Sequence, residues 1–141
     1  MARDEIVRLV NKVGAGWVAD PDSDVVYTEE LDGRTAVRVA QQTRDFTTVW
    51  FEVGDRTLTT EAYVLPAPPR GREEVYRQCL FRNLNARYVH FAIDKDGEIY
   101  LRGRMSLDHA SESALEAVLA EVYELVEIAF RPLIRAGFTT Q

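Results

Sequence analysis

Apolar and polar positions along the chain change period several times, and each change marks an element. Ile6, Leu9, Val10 and Val13 recur at the i, i+3, i+4, i+7 spacing of one helical face, which predicts a short amphipathic helix. Asp4 suits its N-cap and Gly14 its C′ stop. Gly14-Ala15-Gly16 and Asp20-Pro21-Asp22-Ser23-Asp24 then read as loop around one buried aromatic, Trp17. From Val25 the period falls to two. Residues 25–28 lead into Asp32-Gly33, a strong hairpin cue, and Thr35, Val37 and Val39 alternate with Ala36, Arg38 and Ala40. In residues 46–53, Val49, Phe51 and Val53 share one face while Phe46 and Trp50 take the other. Residues 57–65 place Leu58, Ala62 and Val64 together. Connections this short demand antiparallel pairing.

A proline-rich passage at residues 66–71 closes this meander, and residues 72–84 return to helical spacing. Val75, Tyr76, Cys79, Leu80, Phe81 and Leu84 cover much of that helix's circumference, so it needs more than one apolar neighbour. One sheet face cannot cover them all. The expectation is a homodimer that self-associates through this helix. Two further strands follow, with Val89, Phe91 and Ile93 facing Ile99, Leu101 and Met105 across the turn Asp94-Lys95-Asp96-Gly97. The last helix begins near Ser111 or Ser113, and Ser113 with Glu116 has capping-box spacing. Leu115, Val118, Leu119, Val122, Val126 and Ala129 form its buried stripe, Pro132 kinks or restarts it, and Gly137 ends it. The expected fold is therefore α+β, in the order helix, strand meander, helix, two-stranded hairpin, helix. One antiparallel sheet should carry all the helices on one face.

Composition narrows the function. A chain of 141 residues, 46% hydrophobic and 28% charged, has the size and make-up of one globular domain. Its net charge of −6 repels phosphate backbones and anionic lipid, so neither nucleic acid nor membrane is an expected partner. A single cysteine and no signal-peptide core predict a cytoplasmic protein.

Candidate chemistry is sparse. Asp20-x-Asp22-x-Asp24 opens like a calcium loop, but the glycine and bidentate acid such a loop requires are replaced by Val25 and Leu31. Asp94-x-Asp96-Gly97-Glu98 reads as turn chemistry. Gly14-Ala15-Gly16 follows a helix and lacks a third glycine, so it is no dinucleotide fingerprint. His90 falls on a strand and His109 in a turn, with no ligand spacing toward Cys79, which sits where a small core hydrophobe is expected. No catalytic residue, cofactor or metal ligand is assigned. Trp50, Tyr88, His90, Tyr100, Arg102 and Arg104 fall on the outer sheet face, which reads either as ordinary wet surface or as a site for a protein partner.

The run FRNLNARYVHFAIDKDGEIYLRGRMSL, followed by a Glu-rich amphipathic helix, resembles the YbjN-type domain family. DGRTAVRV and TTVWFEVGDRTLTTEAYVL fit that family's first strands, so the resemblance runs over about residues 4–137. It implies a fold similar to type III secretion chaperones, small acidic dimeric proteins that hold partners in extended form, and a bacterial source. It brings no catalytic residues. Asn83 and Asn85 match the family's helix-ending asparagines, and Asn85 suits a C′ position in the αL conformation. The proline-rich connector departs from the family pattern. Two functions follow: a chaperone-like or adaptor protein that holds a partner polypeptide, or a small-molecule-sensing regulatory domain with a pocket between sheet and helices.

Overall fold

A computed structural model describes residues 2–139. Helix α1 (Arg3–Ala19) precedes four strands, β1 (Val25–Leu31), β2 (Arg34–Ala40), β3 (Phe46–Val53) and β4 (Thr57–Leu65). Helix α2 (Arg72–Arg82) runs into a 3₁₀ turn (Asn83–Asn85), then β5 (His90–Ile93) and β6 (Ile99–Ser106). A second 3₁₀ turn (Leu107–His109) leads to α3 (Glu112–Gly137). All six strands form one antiparallel sheet in the order β1-β2-β3-β4-β6-β5. The meander supplies the first four strands in sequence. The hairpin that follows α2 docks by its second strand, β6, on β4, which leaves β5 at one edge and β1 at the other.

The hairpins fold where the sequence places them. Asp32 (φ 49°) and Gly33 (φ 84°) both occupy the left-handed region, as a two-residue hairpin loop requires. Gly97 (φ 85°) does the same between β5 and β6. There Asp94 Oδ1 accepts the amide hydrogens of Asp96 and Glu98 at 2.9 and 3.0 Å.

The inner sheet face carries Val37, Val39, Val49, Phe51, Leu58, Ala62, Val64, Ile99 and Leu101, all buried. Ile6, Val10 and Val13 of α1, Val75 and Cys79 of α2, and Leu115, Val118, Val122, Val126 and Leu133 of α3 complete the same core.

Helix ends differ from the expectation at several points. α1 does not stop at Gly14 but continues to Ala19, with Ala2 rather than Asp4 at its N-cap. Gly14 is there for packing: a Cβ at this position would meet Thr28 Cγ2 of β1 at 3.3 Å. Trp17 thus lies on the helix, half-buried, its ring 6.5 Å from that of Phe51. The N-cap of α3 is Ser111, whose hydroxyl accepts the Ala114 amide hydrogen at 3.1 Å, so Ser113 and Glu116 form no capping box. Pro132 lies inside α3 without ending it. Asn85 has negative φ, in the 3₁₀ turn rather than in αL, and Asn83 is the C-cap of α2. Ile93, expected on the inner face, is exposed. Among the described residues no helix is long and apolar enough to cross a membrane.

Candidate partner-binding surfaces

Helix α2 is anchored at both ends. Glu73 and Glu74 in its first turn and Arg82 in its last oppose the helix dipole. Its N-cap, Gly71 (φ 60°), lies so close to the Ala136 carbonyl of α3 that a Cβ would collide with it. Glycine is needed here for conformation and for space. At the other end Asn83 turns its side chain onto β5: Phe91 N–H donates to Oδ1 at 2.7 Å, and Nδ2 donates to the Phe91 carbonyl at 3.1 Å. That side chain stands in for a neighbouring strand at this edge.

So held, α2 divides its six expected contact residues unequally. Val75 and Cys79 are buried in the core. Tyr76 is half-buried, and its hydroxyl donates to the Gly97 carbonyl at 2.9 Å. Leu80, Phe81 and Leu84 are left to water, with relative exposures of 68%, 59% and 77%. Ile128 of α3, 55% exposed, shares with Phe81 an open groove of about 530 Å³ between the two helices. The sequence reading missed Ile128 because it lies off the buried stripe of α3, and only the pairing of α2 with α3 brings it beside Phe81. Arg77 and Arg82 line the groove on the α2 side, Glu121 and Glu124 on the α3 side.

One groove wall is fixed by α3 itself. The Glu121 carboxylate accepts three backbone amide hydrogens in the segment before β5, from Arg87 (2.8 Å), Tyr88 (2.6 Å) and Val89 (2.8 Å). Glu127, one face further round, clamps the β2–β3 loop in the same way. It accepts the amide hydrogens of Gln42 and Thr43, the Thr43 hydroxyl and the Gln41 side-chain amide. Partial burial alone would raise the Glu127 pKa, but the bonds from Thr43, Gln42 and Gln41 outweigh it and hold it below the usual carboxylate value.

The outer sheet face is the second surface. Strand registers put Ala36, Trp50, Glu61, Arg102 and His90 in one row across β2 to β5, all on the side away from the helices. The Arg34 guanidinium lies 4.3 Å from the Trp50 ring, and that of Arg38 lies 4.3 Å from Phe46 and 5.6 Å from Tyr27. Arg102 pairs with Glu61 at 2.8 Å, and Tyr100 packs edge-on against Tyr63 at 5.4 Å. Arg104 pairs by register with Thr59. Five of the six expected residues therefore share this face. Tyr88 does not join them on a strand: it precedes β5, half-buried against the core. Phe46 was expected on the same face as Trp50, whereas Tyr27 reaches it only through the register shift between Val25 and Tyr27, which alternation does not reveal.

Burial pushes the Cys79 thiol up to about 11 against the opposing charge of Arg82, so it stays protonated at neutral pH.

Residues 15–135 match the family YbjN, described as "Putative bacterial sensory transduction regulator". An uncharacterised Mycobacterium leprae protein, ML2442, is 35% identical over 105 residues, 74% of this chain and 57% of its own length. Rv0487 of Mycobacterium tuberculosis is 37% identical over 86 residues, 61% of this chain and 47% of its own. The chain thus spans about half the length of these relatives. In three dimensions it is similar to a chain of the ExoU-SpcU heterodimer from the type III secretion system of Pseudomonas aeruginosa. That likeness has a TM-score of 0.57 at 16% identity and covers 88% of this chain and 96% of the other. It is also similar to a chain of the Yersinia pestis type III secretion chaperone SycH in complex with a YscM2 fragment. There the TM-score is 0.52 at 16% identity, covering 84% and 97%. At such identities the likeness shows the fold alone: an α+β fold of the type III secretion chaperone kind. With the family match running from the end of α1 almost to the end of α3, the chain belongs to the YbjN family.

Proposed function

We propose that residues 1–141 act as one non-enzymatic protein-binding domain, a chaperone-like or adaptor protein that self-associates through α2 and holds a partner polypeptide on its sheet. The observation that carries this reading is the apolar strip of Leu80, Phe81, Leu84 and Ile128. Four large apolar side chains left to water on α2, its 3₁₀ turn and α3, with Phe81 and Ile128 lining one groove, mark a surface for another protein to cover. A second copy is the occupant that suits the charges. Arg82 on one groove wall and Glu124 on the other offer opposite charges to a two-fold copy, whereas Arg77 already pairs with Glu74 and Glu121 with three backbone amides.

That arrangement leaves the outer sheet face and the β1 edge for the partner. Among the described residues β1 pairs only with β2, so its far edge offers seven residues' worth of backbone to an extended chain. On the adjoining face Trp50, Tyr27 and Phe46 with their stacked arginines are the residue types that anchor interfaces. The structural likeness to chaperones found in complexes with protein partners supports the same reading. Unpaired Cys79 suits a reducing, cytoplasmic setting.

The test is capture from the native source with wild type and with Trp50→Glu, a substitution on the outer face that spares the core. The reading expects a defined partner that wild type retains and the folded variant loses. A folded variant that retains the same partners overturns the assignment of this face.

A further inference from the structure

We propose that the groove between α2 and α3 is a binding site for a free α-amino acid with a large apolar side chain, and that its occupation opposes self-association. The second half rests on the reading that another copy of the chain covers this groove. The groove's volume of about 530 Å³ falls within the roughly 300–1,000 Å³ of small-molecule sites. Phe81 of α2 with Leu125 and Ile128 of α3 supply its apolar lining.

Two polar atoms of the residues that line it are unmet. Gln78 Oε1 and Arg82 Nε are buried, and neither has a hydrogen-bond partner among the described residues. The two residues stand one turn apart on the groove side of α2. Gln78 is held from its other atom, because Nε2 donates to Glu74 Oε1 at 3.2 Å. That leaves one acceptor without a donor and one donor without an acceptor. Buried polar groups are nearly always paired, so this couple beside a groove points to an occupant that carries both kinds of group.

The charges narrow that occupant. Of the charged residues lining the groove, Arg77 is already paired with Glu74 at 3.1 Å, and Glu121 accepts three backbone amide hydrogens. Arg82 on the α2 wall and Glu124 on the α3 wall make no hydrogen bond or ion pair among the described residues. A free cation and a free anion on opposite walls, with an apolar lining between them, match a zwitterion that has an apolar tail. The ligand carboxylate meets Arg82, its ammonium meets Gln78 Oε1 and Glu124, and its side chain lies against Phe81, Leu125 and Ile128. A second copy of the chain needs the same charges and the same apolar surface, so the two occupants exclude each other.

The test titrates L-leucine and L-phenylalanine into the wild-type chain to about 10 mM, a tenfold margin over a 1 mM dissociation constant, and follows backbone amide shifts by NMR. N-acetyl-leucine amide, which lacks both charges, is the control, and sedimentation at saturating ligand reads the association state. Arg82→Gln and Glu124→Gln each remove one charge, the second at an exposed position that spares the core. Expected are saturable shifts at Gln78, Phe81 and Ile128 with a free amino acid, and a smaller dimer fraction on saturation. The blocked control, and each folded variant, should bind at least tenfold more weakly. No saturable shift with either amino acid, equal binding of the blocked control, equal binding by Glu124→Gln, or a dimer fraction that saturation leaves unchanged overturns the proposal. A chain that is monomeric without ligand yet binds the amino acid saturably sinks the self-association reading and leaves the site standing.

Discussion

Removing the Glu121 carboxylate should cost about 3 kcal/mol, more than a half-exposed helix position usually does. Glu121 accepts three backbone amide hydrogens at 2.6–2.8 Å. Hydrogen bonds to a charged group contribute roughly 1.5–3 kcal/mol each, and a buried donor left without a partner bears the larger share. The three donors do not count equally. Arg87 is exposed and its amide regains water, whereas Val89 is fully buried and Tyr88 half so. One full penalty and part of a second give about 3 kcal/mol for Glu121→Ala. The better helix propensity of alanine offsets only a few tenths of a kcal/mol. For 141 residues the entropy of unfolding near the midpoint is about 0.3 kcal/mol/K, so Tm should fall by about 10 °C. Glu121→Gln keeps one acceptor oxygen and should lose about half as much. Urea unfolding followed by circular dichroism reads both variants. A Glu121→Ala variant within about 0.5 kcal/mol of wild type, the spread of an ordinary surface substitution, would refute the clamp.

Asn83→Ala removes both bonds to the Phe91 backbone and should cost about 1–2 kcal/mol, with faster hydrogen exchange at the Phe91 amide; unchanged exchange there would count against it. Glu127 is held below its ordinary value of 4.5 in the fold, so its contribution is complete above that value and is lost as pH falls through the lower folded value. Stability of wild type minus that of Glu127→Gln should therefore be flat at neutral pH and shrink under acid; a difference independent of pH contradicts the clamp. Gly71→Ala forces a left-handed residue against the Ala136 carbonyl and should cost at least about 2 kcal/mol in urea unfolding. A neutral Gly71→Ala would mean that the contact between α2 and α3 is looser than described.

The parts of the fold legible in the sequence are those with local causes. Asp32-Gly33 and Gly97 declare their turns because only such residues take positive φ cheaply, and alternation places the side chains of β3 and β4 on their faces up to the register shift between Tyr63 and Leu65. Helix ends were less legible. Gly14 carries the same chemistry whether it stops a helix or lets one approach a strand, and Thr28, which decides between them, belongs to another element. The apolar excess of α2 was visible as circumference, but which residues stay wet depends on where α3 lies. The carboxylate clamps gave no sequence signal, because Glu121 and Glu127 meet backbone 32 to 85 residues away and any of α3's glutamates could have done so.

On the proposed function, a second copy of this chain covers Leu80, Phe81, Leu84 and Ile128. Sedimentation of the wild-type chain tests it directly, at concentrations up to about 100 µM, a hundredfold above a 1 µM dissociation constant. Wild type should sediment as a species of twice the 16.1 kDa chain mass, which Phe81→Glu converts to folded monomer. A wild-type chain that sediments at 16.1 kDa throughout that range would contradict it.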